Sequence, residues 1–242
     1  MSKQFETGNA KNVANLQKLT EQVAVYTNYN PAVESLTVAS LTQLYNNAST
    51  ALASVKEARN NNKNAIHKRQ EDYETLKPLT TRIINQVEIL DVSKGVLNQA
   101  KSLNRLIQGT PRKKRPTNNN QEDQETVPNT ISTSRQSYTQ LADNFTKLLQ
   151  LLGSIDTYNP NIVELKTPEL TAYLEKLTLN TKEVDHTLAE LNAKLIGRNK
   201  ILYADSNGLY AVAQNVKKYV KSLYGASSPE YAAISKIKFT TH

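Results

Sequence analysis

The sequence predicts an all-α protein: an elongated antiparallel helical bundle built from a duplicated helical hairpin with long, coiled-coil-like helices. Three observations lead to this prediction. The 242 residues include only 7 glycines and 8 prolines, so few positions interrupt a helix. Apolar residues recur at steps of three and four, which is the period of one helical face. A Tyr-Asn-Pro motif occurs twice, 129 residues apart, as Tyr29, Asn30 and Pro31 and as Tyr158, Asn159 and Pro160.

The first helix of each half is predicted over about residues 9–27 and 134–154. Its apolar positions share one face. They are Val13, Leu16, Leu19, Val23 and Tyr26 in the first half, and Tyr138, Leu141, Phe145, Leu148, Leu152 and Ile155 in the second. Proline disfavours the helical conformation of the residue before it. The helices are therefore expected to end before Asn30 and Asn159.

A long second helix with heptad spacing follows in each half. About 50 residues at 1.5 Å per residue would reach roughly 75 Å. Thr167 is the predicted N-cap in the second half, with Pro168 at a position where a missing N–H costs nothing, and Thr37 is the equivalent cap in the first half.

Breaks are expected within these long segments. Pro78 predicts a kink or a restart near Thr75. Gly197 and Gly208 are the matching weak points of the second half. Farther along, Ser228 is a predicted cap followed by proline at the first helical position, and the segment 236–239 is expected to dock or to add to an edge.

Polar residues interrupt both apolar seams. Asn62 and Arg69 lie in the first seam, and Arg198 and Asp205 lie in the second. One interpretation is a solvated tip where the long helices extend beyond their partners. The other is a buried Arg/Asp layer that fixes the helix register.

The domain organisation follows from this duplication. Residues 1–108 form the first predicted repeat, 109–133 a polar linker, and 134–242 the second repeat with a short C-terminal helix. The linker contains the basic run Arg112, Lys113, Lys114 and Arg115. This run suits binding to phosphates or a partner, or an import signal if the host is eukaryotic, and a plain solvated loop is the alternative.

The residue types needed for common catalytic sites are missing. Cysteine is absent, which excludes disulfides and thiolate sites. Neither a Gly-rich phosphate loop nor a G-x-S-x-G elbow occurs. His186 and Glu190 have the spacing of a two-ligand metal site, although a polar helix surface explains them as well. We therefore expect no enzyme activity, no cofactor, no metal and no small-molecule ligand.

The charge distribution raises nucleic-acid binding as an alternative function. The chain has a net charge of +8, and residues 194–242 hold 8 basic and 2 acidic residues. Basic residues and tyrosines alternate there, a pattern that suits single-stranded nucleic acid. The residues are Lys200, Lys217, Lys218 and Lys221 with Tyr203, Tyr210, Tyr219 and Tyr224.

The expected function is that of a structural or interaction protein that self-assembles or scaffolds a protein partner. The two Tyr-Asn-Pro turns are candidate interaction surfaces, or simply helix ends with tyrosine packed over the core. The long amphipathic helices resemble α-helical pore-forming toxins in fold type, which makes membrane activity a further alternative, although the apolar tongue typical of those toxins is missing. With no signal peptide or membrane-spanning segment visible, a cytoplasmic location is expected.

Overall fold

The computed structural model describes residues 3–109 and 136–241, and these residues form helices and turns with no β-strand. The all-α prediction is therefore confirmed for the described part of the chain. The helices are α1 (Lys3–Ala24), α2 (Val38–Glu74), α3 (Leu76–Glu88), α4 (Lys94–Gln108), α5 (Tyr138–Gly153), α6 (Thr167–Tyr203), α7 (Leu209–Tyr224) and α8 (Pro229–Ser235). Short 3₁₀ helices, Glu34–Leu36 and Val163–Leu165, precede α2 and α6.

Most of the predicted breaks occur where the sequence places them. The chain restarts between α2 and α3 at Thr75, as expected from Pro78. Gly208 is the N-cap of α7, and the Ser228 side chain accepts a hydrogen bond from the Tyr231 amide at the start of α8. The break expected at Gly197 is wrong, because α6 continues to Tyr203. A single helical glycine costs only about 1 kcal/mol relative to alanine, which surrounding packing outweighs.

Of the two N-caps predicted for the long helices, Thr37 is confirmed and Thr167 is wrong. The Thr37 hydroxyl accepts a hydrogen bond from the Ser40 amide at 3.3 Å, as an N-cap does. Thr167 is not the cap, because it is already the first residue of α6. The residue before α6 is Lys166, which corresponds to Thr37 at the spacing of 129 residues.

Several helix boundaries repeat at this spacing. The first helix of each half ends at Ala24 and at Gly153. The 3₁₀ helices Glu34–Leu36 and Val163–Leu165, and the 37-residue helices α2 and α6, begin and end at corresponding positions. After α2 and α6 the two halves differ in helix length.

The chain divides by spatial contact into two compact units. Unit 1 comprises Met1–Lys63 and His186–His242, and unit 2 comprises Asn64–Asp185. Each unit thus contains residues from both predicted repeats, and both long helices contribute to both units. The repeat boundaries 1–108 and 134–242 stay predictions, and the linker with Arg112, Lys113, Lys114 and Arg115 lies outside the described residues.

In unit 2, α4 packs against α3 and α5, and α3 contacts the 3₁₀ helix Val163–Leu165. The buried core is aliphatic except for a few aromatic rings. Its fully buried members include Leu76, Ile83, Val87, Ala100, Ile107, Phe145, Leu148, Leu170 and Leu177. Phe145 and Leu148 lie on the apolar face read from the sequence, whereas the buried face of α4, with Ala100 and Ile107, was not predicted. Burial of one face per helix holds this unit together.

In unit 1, α7 is the central helix and contacts α1, α8 and the 3₁₀ helix Glu34–Leu36. Its core consists of apolar side chains from these helices, from the N-terminal part of α2 and from the C-terminal part of α6. Fully buried members include Leu16, Leu19, Val23, Leu41, Leu202, Leu209, Val216, Val220 and Ile234.

Phe145→Ala is expected to lower the free energy of unfolding by about 3–5 kcal/mol, because it leaves a cavity in a close-packed core. Phe145 is fully buried and meets Tyr173 edge to face at 5.9 Å between ring centroids. Urea denaturation followed by circular dichroism measures the loss. Leu188→Ala, at a side chain that is 45% exposed, is the control and should change stability by less than about 0.5 kcal/mol. Equal effects of the two substitutions would contradict the assigned core.

Candidate interaction site

The two Tyr-Asn-Pro turns have the same internal hydrogen bond. The Tyr29 hydroxyl donates to the Leu36 carbonyl at 2.6 Å, and the Tyr158 hydroxyl donates to the Leu165 carbonyl at 2.8 Å. Each bond joins the turn to the last residue of the following 3₁₀ helix. The tyrosine side chain therefore fixes the direction in which the chain enters the next long helix.

The three residues of each motif have different environments. The prolines Pro31 and Pro160 are buried, whereas Asn30 and Asn159 are exposed. Tyr158 is buried and Tyr29 is half-buried. The tyrosines and prolines thus pack inward, as in the interpretation of simple helix-ending turns, and the asparagines face solvent. Whether the turns also bind a partner stays a prediction.

Burial changes the acidity of both tyrosines. Loss of hydration disfavours the phenolate and raises the pKa of Tyr158 to about 12. The pKa of Tyr29 also rises to about 12, mainly through burial and further through the neighbouring Tyr219. Both hydroxyls therefore remain protonated donors at neutral pH.

In unit 1 the turn is part of a larger group of tyrosines, which we call the tyrosine cluster: Tyr26, Tyr29, Tyr219, Tyr224 and Tyr231. Tyr26 and Tyr224 meet edge to face at 5.7 Å between ring centroids. Tyr29 and Tyr219 do the same at 5.4 Å. Such edge-to-face pairs contribute about 0.5–1.5 kcal/mol beyond the burial of their area.

Hydrogen bonds and a cation hold the cluster in place. The Tyr26 hydroxyl donates to the Glu230 backbone carbonyl at 2.9 Å, and the Asn28 backbone N–H donates to the Tyr224 hydroxyl at 3.3 Å. The Lys221 ammonium lies 5.7 Å from the centroid of the Tyr231 ring. The cluster therefore joins residues from the turn, α7 and α8 in one ordered arrangement.

All five rings of the tyrosine cluster are half-buried, so each presents part of its surface to solvent. Exposed aliphatic side chains from the same segments are Val25, Val33 and Leu223, at 73%, 57% and 40% exposure. Tyrosine is enriched in protein interfaces because one ring offers a large apolar area and a polar hydroxyl with few rotatable bonds. Chemically, this region suits contact with a protein surface.

The corresponding turn of unit 2 has a different character. Tyr158 is buried, and the exposed apolar residues nearby in sequence are Ile162 and Val163. Arg82 forms an ion pair with Glu164 at 2.8 Å across α3 and the 3₁₀ helix. No tyrosine cluster like that of unit 1 is found among the described residues of this turn.

Arg69 is a half-buried residue rather than part of a solvated tip. Its guanidinium carbon lies 4.1 Å from the centroid of the Tyr138 ring, and Tyr73 meets the same ring edge to face at 4.7 Å. The Arg69 Nε is buried without a hydrogen-bond partner among the described residues. Cation–π attraction offsets part of the cost of this burial.

Arg198 is buried as well, with only 4% of its surface exposed. Its Nε and Nη2 donate to the Asn199 side-chain oxygen at 3.1 and 2.8 Å. The solvated-tip interpretation is therefore wrong here. A buried layer of arginine and aspartate is also wrong, because Asp205 is exposed. The Asn62 amide, in the first seam, donates to the Thr187 hydroxyl at 3.1 Å.

The sequence analysis missed a polar network in unit 2. The Asp72 carboxylate accepts from the Lys176 ammonium at 2.6 Å and from the buried Asn180 amide. The Asp72 carbonyl also accepts from the Tyr173 hydroxyl at 2.6 Å. A charge-bearing residue at a helix end gives no sequence signal for partners about 100 positions away.

The metal-ligand spacing of His186 and Glu190 leads to no metal cluster. The His186 Nε2 lies 3.9 Å from a Glu190 carboxylate oxygen, and both side chains are exposed. Within residues 3–109 and 136–241, no group of three or more potential ligands comes together. A surface depression of about 660 Å³ beside Tyr203 and Tyr210 is lined mainly by amides and tyrosines.

Two of the predicted nucleic-acid-binding lysines have contacts within the chain. Lys217 donates to the Ile237 carbonyl and lies 5.3 Å from the Phe239 ring centroid. Burial, and then the nearby Lys238, lower the pKa of Lys217. Lys221 stacks on Tyr231 as described above. These contacts favour a structural use of both side chains, and nucleic-acid binding stays a prediction.

A second arrangement missed from the sequence involves three buried asparagines of α1, Asn9, Asn12 and Asn15. They recur every three residues beside the apolar stripe. Asn12 and Asn15 bind the backbone of residues 238–240, near the end of the described chain. The regular spacing of three asparagines on one helix face was the available signal. In the sequence alone, it cannot be told from a row of solvent-exposed polar residues.

Comparison with protein-family models, with curated proteins and with solved structures gives no match. Among the described helices, none combines the length and the apolar character needed to cross a membrane.

Tyr158→Phe tests the buried hydroxyl through the pH dependence of stability. Free tyrosine ionises near pH 10, so above that pH the unfolded chain loses a proton that folded Tyr158 keeps until about pH 12. The free energy of unfolding should therefore fall as pH rises from 10 towards 12. The variant should fall less steeply, and at pH 7 it should be about 0.5–1.5 kcal/mol less stable through loss of the hydrogen bond.

Urea denaturation at pH 7, 9, 10 and 11 measures both effects. Between pH 7 and 9 the wild type and the variant should keep a constant difference, which serves as the internal control. Parallel curves above pH 10 would show that Tyr158 does not have the assigned burial.

Proposed function

We propose that this protein is a non-enzymatic structural or interaction protein that self-associates through the tyrosine cluster of unit 1. The observation that carries the proposal is the combination of five half-buried tyrosines with the exposed side chains of Val25, Val33 and Leu223. Exposed apolar residues that stand alone are normal on protein surfaces, whereas interfaces combine exposed apolar and aromatic side chains, as these chain segments do.

The pre-ordered state of the cluster favours binding. The Tyr26 and Tyr224 hydroxyls already take part in hydrogen bonds with Glu230 and Asn28. When a partner covers these rings, the rings lose little side-chain entropy, because their positions are fixed before contact. A second copy of the chain is the simplest partner with a complementary surface, since the same patch on two molecules can pair around a two-fold axis.

The proposal includes an origin by duplication. Equivalent helix ends, equal 37-residue helices and two equivalent tyrosine–carbonyl hydrogen bonds support it. The elongated antiparallel bundle of two fused hairpins, with coiled-coil-like contacts along the long helices, belongs to the same proposal. So does a cytoplasmic location.

Val25→Asp is expected to weaken self-association at least ten-fold, which corresponds to about 1.4 kcal/mol. A carboxylate at this position would have to be dehydrated in the contact. Static light scattering and mass photometry across a concentration series measure the dissociation constant. The control is Ile196→Asp, a substitution on α6 at a side chain of almost equal exposure, 70% against 73%.

The control variant should associate like the wild type, and both variants should keep the wild-type circular dichroism spectrum. A wild-type chain that stays monomeric at every concentration would contradict self-association. Equal weakening by both substitutions would move the contact away from the tyrosine cluster.

A further inference from the structure

The segment after α8 packs against the rest of unit 1. Exposure alternates along it: Ile237 and Phe239 are half-buried and pack against the core of unit 1, whereas Lys236, Lys238 and Thr240 are exposed. This period of two is typical of an extended chain with one side covered. The sequence prediction that residues 236–239 dock is thus matched by these contacts. We call α8 and the residues after it, 229–241, the docking segment.

On one side of the docking segment, α1 binds the backbone. The Asn12 amide donates to the Thr240 carbonyl at 2.8 Å, and its oxygen accepts from the Thr240 amide at 2.9 Å. The Asn15 amide donates to the Lys238 carbonyl at 2.6 Å. A step of three residues on α1 thus corresponds to a step of two along the extended segment.

On the other side, α7 supplies a cation. The Lys217 ammonium donates to the Ile237 carbonyl and lies near the Phe239 ring. In an extended chain, successive carbonyls point in opposite directions. The carbonyls of Ile237 and Lys238 are accordingly bound by different helices, so the segment lies in a groove between α1 and α7.

Apart from the Thr240 hydroxyl, which lies 3.4 Å from the Asn12 side-chain oxygen, the polar contacts with α1 are made to main-chain atoms, so they depend little on the identity of the bound side chains. Selectivity comes instead from the two apolar side chains, Ile237 and Phe239, that pack against the core. Such a groove binds an extended peptide with apolar residues two positions apart.

The groove offers one more donor than the described segment uses. Asn9 is fully buried, and its oxygen accepts from the Tyr203 hydroxyl at 2.6 Å. Its Nδ2 has no hydrogen-bond partner among the described residues. A buried unpaired donor costs about 1–3 kcal/mol, and exchange of the segment between chains would leave this cost unchanged because the incoming segment makes the same contacts.

The connection between α7 and the docking segment is short and consists of residues 225–228. Its residues 225–227 are exposed, whereas Ser228 is half-buried and its hydroxyl donates to the Gly225 carbonyl at 3.0 Å, a bond that exchange would have to open. Gly225 has a positive φ of 91° that side-chain-bearing residues rarely adopt. A glycine there lets the connection change direction without steric cost. A hinge is the feature that allows a terminal element to exchange between identical chains.

We infer that the groove between α1 and α7 is a peptide-binding site, and that its partner ligand is the docking segment of a second copy of this chain. Exchange replaces every contact of the segment with the same contact on another molecule, so the hinge and the protein concentration set the balance. The inference rests on the proposed self-association and names the segment through which the copies join.

The absence of cysteine from the sequence makes a direct test available. A Cβ added at Gly8, on α1, would lie 3.6 Å from the Thr240 side-chain oxygen. Gly8→Cys and Thr240→Cys are therefore placed for a disulfide after a small adjustment of side chains. Gly197→Cys is the matched control, because a Cβ there has no neighbour within 4 Å.

The first measurement uses the full-length double variant Gly8→Cys/Thr240→Cys, diluted to prevent association and oxidised with glutathione disulfide. Mass spectrometry should find an intrachain disulfide, which the Gly197→Cys/Thr240→Cys variant should form at least ten-fold less. Absence of the Gly8–Thr240 disulfide would overturn the inference, because the segment would not occupy the groove.

The second measurement mixes the two single variants, Gly8→Cys and Thr240→Cys, at high concentration. Exchange predicts a mixed interchain disulfide at least ten-fold above the Gly197→Cys and Thr240→Cys mixture. Adding Asn12→Leu to the Gly8→Cys chain should remove most of this product, because the bonds to Thr240 are lost while side-chain volume is kept.

Light scattering on the same samples separates the two proposals. Oligomers without the mixed disulfide would overturn exchange and leave association through the tyrosine cluster standing. Monomers without the mixed disulfide would overturn both. A mixed disulfide that persists in chains carrying Val25→Asp would support exchange as a contact independent of the tyrosine cluster.

Discussion

The same hydrogen bond closes the turn between the first two helices in both halves of the chain. The hydroxyls of Tyr29 and Tyr158 donate to the carbonyls of Leu36 and Leu165, seven residues later. A backbone carbonyl at the end of a 3₁₀ helix would otherwise lack a partner as water is excluded. By satisfying it, the tyrosine joins the turn to the residue two positions before the long helix begins.

Beyond this shared turn, the two units use aromatic residues differently. In unit 2, Tyr158 is buried and Phe145 fills the core beside Tyr173. In unit 1, Tyr29 belongs to a group of rings that stay half exposed. Under the proposed duplication, the two copies of the turn have diverged in how they use tyrosine. The solvent-facing part of the tyrosine cluster is the surface that the proposed self-association uses.

The docking segment and the tyrosine cluster are physically connected. The Tyr26 hydroxyl binds the Glu230 carbonyl of α8, and Lys221 stacks on Tyr231. Ile234, Ile237 and Phe239 then pack against the same core. Movement of the docking segment would consequently disturb the cluster, so association through one surface and occupancy of the other are expected to be energetically linked.

The sequence by itself determined the helical class, the restart at Thr75, the cap at Ser228 and the repeated turn, because these depend on residues close together in the chain. Backbone restriction by proline, capping and helical periodicity are local effects. The break predicted at Gly197 and the solvated position predicted for Arg198 were wrong, because packing outweighs local preference there. Only the tertiary structure decided that Asn12 and Asn15 bind residues more than 220 positions away, and that tyrosines from separate segments meet. Such contacts depend on which helix faces come together, and a single helix's pattern does not specify its partner.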